Sequence, residues 1–182
     1  MTEEQFNLAM ECIRKKDKGA LKSIYEEYSP FIYHTILNIV KQKEAAEDIT
    51  SEFFIKLWEK AGAYKPGGGH KGYLATIARN MAIDYVRKYT KEVYIETEDE
   101  EDADAMSQIA DSAPPVEEET IEQLSVQEAL SRLKPVYRQI VTMKVLGDMT
   151  FKEISEALGI PMGTVTWNYQ DAIKQLRRFG YE

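Results

Sequence analysis

Apolar side chains recur at helical spacing almost from one end of this chain to the other. Thr2 and Gln5 make a capping box for a first helix reaching about residue 16. Asp17 can cap a second, in which Leu21, Ile24, Tyr25 and Tyr28 fall at i, i+3, i+4 and i+7. Ser29 followed by Pro30 predicts a new helix start, since proline at the first helical position lacks only a donor that would be unpaired anyway. The segment it opens, 31–40, is apolar on nearly every side, as in the buried centre of a bundle. A helix over 44–60 turns Ile49, Phe53, Phe54 and Leu57 inward and leaves Asp48, Ser51, Glu52 and Ile55 on or near the other face. A loop, 62–72, carries Pro66 and the run Gly67, Gly68, Gly69, and a long helix follows over 73–91. Its inward stripe is Leu74, Ile77, Ala78, Met81 and Tyr85. A second stripe of Tyr73, Thr76, Asn80, Asp84, Arg87 and Lys91 is aromatic at one end and basic at the other.

Beyond residue 120 the pattern resumes. Residues 121–133 read as a helix, and Pro135 restarts one that ends at Gly147. Thr150 and Glu153 make a capping box for a short helix, 151–158, which Gly159 stops. A last helix begins near Thr164 and runs to about Phe179, with Val165, Tyr169, Ala172 and Leu176 inward. Two helices joined by a tight glycine turn, the second the longer, form the helix-turn-helix pattern, although any helical hairpin in a bundle has the same spacing. No segment alternates with period two, so the expected fold class is all-α.

Composition sharpens this outline. With 43% hydrophobic residues in 182 the chain has material for a core, which excludes wholesale disorder. A single cysteine, Cys12, closes no internal disulfide, and two histidines offer no zinc spacing. No apolar run approaches membrane-spanning length and the first residues lack the charged-then-apolar form of a signal peptide, so a cytoplasmic protein without membrane insertion is expected. The net charge of -8 argues against nucleic acid as a partner only if it is evenly spread. It is not. Residues 1–91 carry 15 Lys and Arg against 12 Asp and Glu, residues 92–128 carry 14 acidic side chains and no basic one, and residues 129–182 carry 8 basic against 5 acidic. The expected organisation is two small helical domains, 1–91 and 121–182, joined by an acidic linker, 92–120, held extended by its own repulsion.

In the helix-turn-helix, Thr164, Thr166, Trp167 and Asn168 would stand against base edges in a major groove, with Lys174, Arg177 and Arg178 available to phosphates. The loop and helix of 62–91 mix Tyr64, Tyr73, Tyr85 and Tyr89 with Lys65, Lys71, Arg79, Arg87, Lys88 and Lys91. That mixture suits single-stranded nucleic acid, where bases stack on rings and cations follow the backbone; core tyrosines beside solvated lysines would give the same composition. Sharper chemistry is missing. The glycine run is followed by His70, Lys71 and Gly72, not by the Gly-Lys-Ser/Thr of a phosphate loop. The acidic run 98–104 lacks the glycine and spaced ligands of a calcium loop. His34 reads as a core histidine and His70 as solvent-exposed, and no nucleophile is paired in sequence with a base. We expect no enzyme, no metal and no cofactor.

The ordered motifs then carry a resemblance covering nearly the whole chain. Residues 45–58, AAEDITSEFFIKLW, resemble the polymerase-binding segment of sigma-70 factors, and 72–88, GYLATIARNMAIDYVRK, the adjacent promoter-melting segment. Leu133, Lys134, Pro135 and Arg138, the stretch 150–154, and Gly163, Thr164 and Val165 resemble their region 4. With only these two domains, the chain is similar to extracytoplasmic-function sigma factors. The resemblance implies that Asp48, Ser51, Glu52 and Ile55 dock on core RNA polymerase. It implies that Tyr64, Lys65, His70, Lys71, Tyr73, Thr76, Asn80, Asp84, Arg87 and Lys88 open and hold the minus-ten element of promoter DNA. It assigns the minus-thirty-five element to Arg138, Thr164, Thr166, Trp167, Asn168, Lys174 and Arg177. The DNA is met both double-stranded and melted, and an anti-sigma partner is expected.

Three positions depart from the pattern. Tyr73 stands where a tryptophan is common, Ser51 where a glutamine is common, and Thr166, Trp167, Asn168 and Asp171 where the family often has cations. Fewer cations at phosphate positions weaken the salt-dependent part of DNA affinity. The acidic linker could mimic RNA in the polymerase cleft or serve solubility alone. The remaining alternatives are a helix-turn-helix regulator that never joins polymerase, and a sigma-like adaptor that binds only proteins. The block 45–58 together with the melting helix is what a simple regulator does not need.

Overall fold

The computed structural model describes residues 1–96, with side chains to residue 89, and residues 128–179. Residues 97–120 of the expected linker and 121–127 of the helix expected at 121–133 lie outside these. Residues 92–96, expected in the linker, instead continue the helix before it, because nothing in that stretch breaks a helix, and residues 128–131 are helical. Among the described residues there are helices and no strand.

Helix α1, Glu3–Arg14, opens on the Thr2–Gln5 capping box and buries Phe6, Met10 and Ile13 at i, i+4 and i+7. Asp17 caps α2, Lys18–Val40, by accepting from the backbone N–H groups of Gly19 and Ala20. The break expected at Ser29–Pro30 is absent: Pro30 lies inside one 23-residue helix. Pro30 and Glu26 are both exposed, so the carbonyl that loses its donor faces water, while Tyr28, Phe31 and Ile32 anchor the opposite face in the core. Lys41, in the left-handed region at φ 62°, ends α2.

Helix α3, Lys43–Glu59, buries Ala45, Ala46, Ile49, Thr50, Phe53, Phe54 and Leu57 against α2 and α4. A 3-10 turn, Ala61–Ala63, follows, and Arg14 fastens it by donating to the carbonyls of Ala61 (3.1 Å) and Tyr64 (2.6 Å). Helix α4, His70–Glu96, starts three residues earlier than the sequence suggests. Its buried ridge is Leu74, Ala75, Ala78 and Ala82, with Ile77, Met81 and Tyr85 half-buried beside it, because small residues let α4 lie close along α2.

In the C-terminal unit Pro135 is the first residue of α5, Pro135–Val145. The Thr150–Glu153 box opens α6, Phe151–Leu158, and Gly159, at φ 68°, turns the chain into α7, Met162–Arg178. The two units share one apolar core. Ile140, Met143, Met149, Ile154 and Val165 belong to the same cluster as Phe31, Ile36 and Phe53, and α5 packs on α2 while α6 packs on α4. Asn38 donates to the Thr142 hydroxyl at 2.7 Å, and a Cβ on Gly147 would stand 2.7 Å from the Phe31 ring. A satellite cluster of Leu133, Tyr137, Val141 and Ala172 joins α5 to α7.

Candidate nucleic-acid and protein interfaces

The periodicity that buries Phe53 and Leu57 turns Asp48, Ser51, Glu52 and Ile55 outward at i, i+3, i+4 and i+7 of α3, and all four are exposed. The Ser51 hydroxyl donates to the carbonyl of Glu47 at 3.0 Å, and Glu52 pairs with Lys56 at 2.9 Å in full view of solvent. Ile55 is 56% exposed, a large apolar side chain that nothing among the described residues covers. The face is one apolar contact ringed by polar groups.

The loop before α4 separates into a buried frame and an exposed rim. Tyr64 is 3% exposed: its ring meets Phe6 edge-on at 5.4 Å, and its hydroxyl donates to the Asn7 side chain at 2.6 Å. Burial pushes its pKa up, with Glu3 and Tyr73 adding to the shift. His70, expected to be exposed, is 5% exposed. Its ring stacks on Phe6 at 4.8 Å, and its Nε2 lies 2.7 Å from the Tyr28 hydroxyl. Desolvation, then the Lys71 charge, lowers the His70 pKa from 6.5, and burial, then Glu27, raises that of Tyr28. A neutral ring accepting from a protonated phenol satisfies both shifts, and we assign the pair so. Tyr64 and His70 therefore frame the loop from below, and the groups left on its surface are Lys65, Lys71, Tyr73 and Thr76, with Asn80, Asp84, Arg87 and Lys88 exposed further along α4. Gly67 and Gly69 hold φ of 102° and 78°, which a side chain would strain. A cleft of about 420 Å³ opens here, lined on one side by Lys65, Gly69, Tyr73 and Thr76 and on the other by Glu153 and Glu156 of α6.

The neutral state of His70 has a measurable consequence. Because its folded pKa lies below the unfolded value, the unfolded chain takes up a proton first as pH falls through 6.5, and stability drops until the folded group also titrates. Denaturation midpoints at pH 7.5 and 5.5 should show this loss, and His70→Gln should be less stable at pH 7.5 yet show a flatter profile. An unchanged profile in the variant would rule out His70 as the titrating group.

The third group of candidate residues is divided by burial. Trp167 is 61% exposed and Met162 54%, with Thr164, Lys174 and Arg177 also exposed, while Thr166 is half-buried and donates to the Met162 carbonyl at 2.9 Å. Asn168 is buried at 7%, turned with Val165 and Ala172 toward the body of the fold, so in this arrangement it faces no groove. Arg138 is likewise 7% exposed, on α5 where it packs against α2. Among the described residues its Nε has no hydrogen-bond partner, nor has the Nζ of nearby Lys41. Desolvation, then the Arg138 charge, lowers the Lys41 pKa to about 8, and desolvation lowers that of Arg138.

No pattern along the chain marks Phe6, Tyr28 and Asn7 as the frame of the loop, Asp148, Glu153 and Glu156 as its neighbours, or Lys41 as lying beside Arg138. Each contact joins residues too far apart for any periodicity to connect.

Comparison with known proteins gives a consistent result. Sigma-70 region 2 matches residues 24–92, and sigma-70 region 4 matches residues 123–176. The extracytoplasmic-function RNA polymerase sigma factor SigM of Bacillus subtilis is 31% identical over 140 residues, covering 77% of this chain and 82% of that protein. SigW of the same organism is 29% identical over 171 residues, covering 91% of each. Among solved structures, the sigma factor RpoE of Bartonella quintana in complex with the anti-sigma factor NepR superposes with a TM-score of 0.64 at 19% identity, covering 86% of this chain and 94% of that one. CnrH in complex with the cytosolic domain of CnrY superposes with a TM-score of 0.62 at 13% identity, covering 96% of each. At such identities these two establish the fold.

Proposed function

This chain belongs to the extracytoplasmic-function RNA polymerase sigma factors of the sigma-70 family, and from that premise we propose a division of labour among its surfaces. It is a transcription initiation factor: it binds core RNA polymerase, brings it to promoter DNA and breaks no covalent bond itself. The observation that carries the finer reading is the uncovered face of α3. Asp48, Ser51, Glu52 and Ile55 dock on core polymerase, Ile55 as the apolar centre and the others as its polar rim. Lys65, Lys71, Tyr73 and Thr76 take the minus-ten element at the cleft, where a base pulled from the stack is held against the Tyr73 ring and the glycine backbone. Asn80, Asp84, Arg87 and Lys88 extend that surface along α4. Tyr64 and His70 support it from beneath. Thr164, Thr166, Trp167, Lys174 and Arg177 meet the minus-thirty-five element, with Arg138 and Asn168 joining only if the units rearrange on DNA. Trp167 supplies apolar contact to thymine methyls where a cation is absent.

The domains run 1–91 and 121–182, with the acidic segment between. A polymerase subunit works where the genome is, so the protein is placed in the cytoplasm; no described helix is long and apolar enough to cross a membrane. An anti-sigma partner is proposed because one structural relative cited above, RpoE of Bartonella quintana, is a sigma factor held by the anti-sigma factor NepR.

Reconstitution with core polymerase on the promoter upstream of the protein's own gene tests this reading. Run-off transcription that depends on the chain is expected. Core binding with no transcription would replace this reading with a protein-binding adaptor, and duplex binding without core binding would replace it with a simple regulator.

A further inference from the structure

We propose that Asp148, Glu153 and Glu156 of region 4 occupy the minus-ten loop of region 2 as an internal stand-in for DNA phosphate, keeping the free factor closed, while the Lys41–Arg138 pair loads the same seam toward opening. The proposal rests on the reading of loop 64–71 as the DNA contact.

Three contacts build the closed side. The Lys71 ammonium donates to the Asp148 carboxylate at 3.1 Å and to its backbone carbonyl at 2.9 Å. Asp148 reaches it from a left-handed backbone, φ 46°, a conformation that aspartate tolerates better than most residues. Hydrogen bonding and charge from Lys71 hold the Asp148 carboxyl below the usual carboxylate range. A Cβ built on Gly69 would stand 3.3 Å from Glu153 Oε1, so the glycine that lets backbone approach a nucleotide here lets a carboxylate approach. Glu153 is held in place by its other oxygen, Oε2, which accepts from the Thr150 N–H at 2.7 Å. Glu156 lines the same cleft. A nucleotide phosphate approaching the cleft meets these carboxylates, which repel its charge and already hold the Lys71 ammonium it would pair with.

Elsewhere on the seam the balance is reversed. Lys41 Nζ and Arg138 Nε are buried, carry the same charge and have no acceptor among the described residues. Buried charge without a partner is unfavourable, and a like charge beside it more so. Separation of the units rehydrates both groups and frees Arg138 for a phosphate of the minus-thirty-five element. The seam is thus a bistable contact in which promoter DNA replaces carboxylates at the loop and water or phosphate relieves the cations.

Opposite variants of the full chain test it, read by small-angle scattering and by anisotropy with a fluorescein-labelled single-stranded oligodeoxynucleotide of mixed sequence. Asp148→Asn with Glu153→Gln and Glu156→Gln keeps the α6 capping box and is expected to expand the particle and tighten oligonucleotide binding by about tenfold. Glu26→Gln with Glu44→Gln and Glu59→Gln, at exposed sites away from the cleft, changes net charge equally and should do neither. Gly147→Ala alters no charge, yet its Cβ would fall 2.7 Å from the Phe31 ring and 2.6 Å from the Met143 carbonyl, so it should also open the seam. Lys41→Met should raise the melting midpoint and keep the particle compact, whereas a lysine that merely supports the fold would give a lower midpoint.

An extended wild-type particle, or identical behaviour of the seam and charge-matched variants, would overturn the proposal. Expansion without tighter oligonucleotide binding would instead remove the DNA role of the loop. Failure of every variant to transcribe, with scattering as expected, would overturn the functional reading and leave the seam standing.

Discussion

Replacing Ile55 by arginine is expected to weaken binding to core RNA polymerase by a factor of about 30 or more, since a contact at the desolvated centre of an interface contributes about 2 kcal/mol or more. Ile55 is 56% exposed on α3, with Asp48, Ser51 and Glu52 around it, and is not among the residues of the apolar cluster behind it. A buried arginine opposite an apolar partner loses hydration and gains no acceptor, so the dissociation rate should rise. The folded chain should hardly notice. Surface substitutions away from special features change stability by within about 0.5 kcal/mol. Titration of labelled chain with core polymerase, alongside urea unfolding of the variant, separates the two effects. Unchanged core affinity in a folded Ile55→Arg protein would remove this face from the interface.

The second large effect lies two residues away, on the opposite side of the helix, and points inward. Phe53 is fully buried, with its ring edge-on to Phe54 at 5.1 Å, in the part of α3 that α2 and α4 enclose. Phe53→Ala should cost about 3–5 kcal/mol, the transfer of the ring plus the cavity left behind. Against a typical domain stability of about 5–15 kcal/mol that is a large share. Since the units share one apolar cluster, the loss should appear in a single unfolding transition reported by probes in either unit. Two transitions, with only the first shifted, would show that the shared core does not couple the units. A loss below about 1 kcal/mol would show that the site collapses around the gap. Ile55 and Phe53, two residues apart, are thus expected to give opposite phenotypes, binding lost with stability kept and stability lost first.

The contrast shows what a helical sequence makes legible. Period 3.6 sorts α3 into a core face and an exposed face without reference to anything distant, so both residues were placed correctly from spacing alone. The capping boxes at Thr2 and Thr150 and the glycine stop at Gly159 were legible for the same reason, each being a contact within a few residues. The break expected at Pro30 failed because a missing donor decides only the cost of continuing. An exposed carbonyl and a well-packed opposite face made that cost bearable. His70 departs from the exposure its glycine neighbours suggest because stacking on Phe6 and a hydrogen bond to Tyr28 come from two other helices.

The amino-acid sequence by itself determined that the fold class is all-α, which side of each described helix is apolar, where the charge is concentrated and, through its ordered motifs, which family the chain belongs to. All of these follow from local periodicity, capping chemistry and composition. Only the tertiary structure decided which candidate residues are available. It buried Tyr64, His70, Asn168 and Arg138, left Ile55 and Trp167 bare, and set Asp148 and Glu153 against the loop of the other unit. The physical reason is that burial and electrostatic pairing depend on the helix that comes to lie opposite, and no repeat within a helix specifies its neighbour across 77 residues of chain.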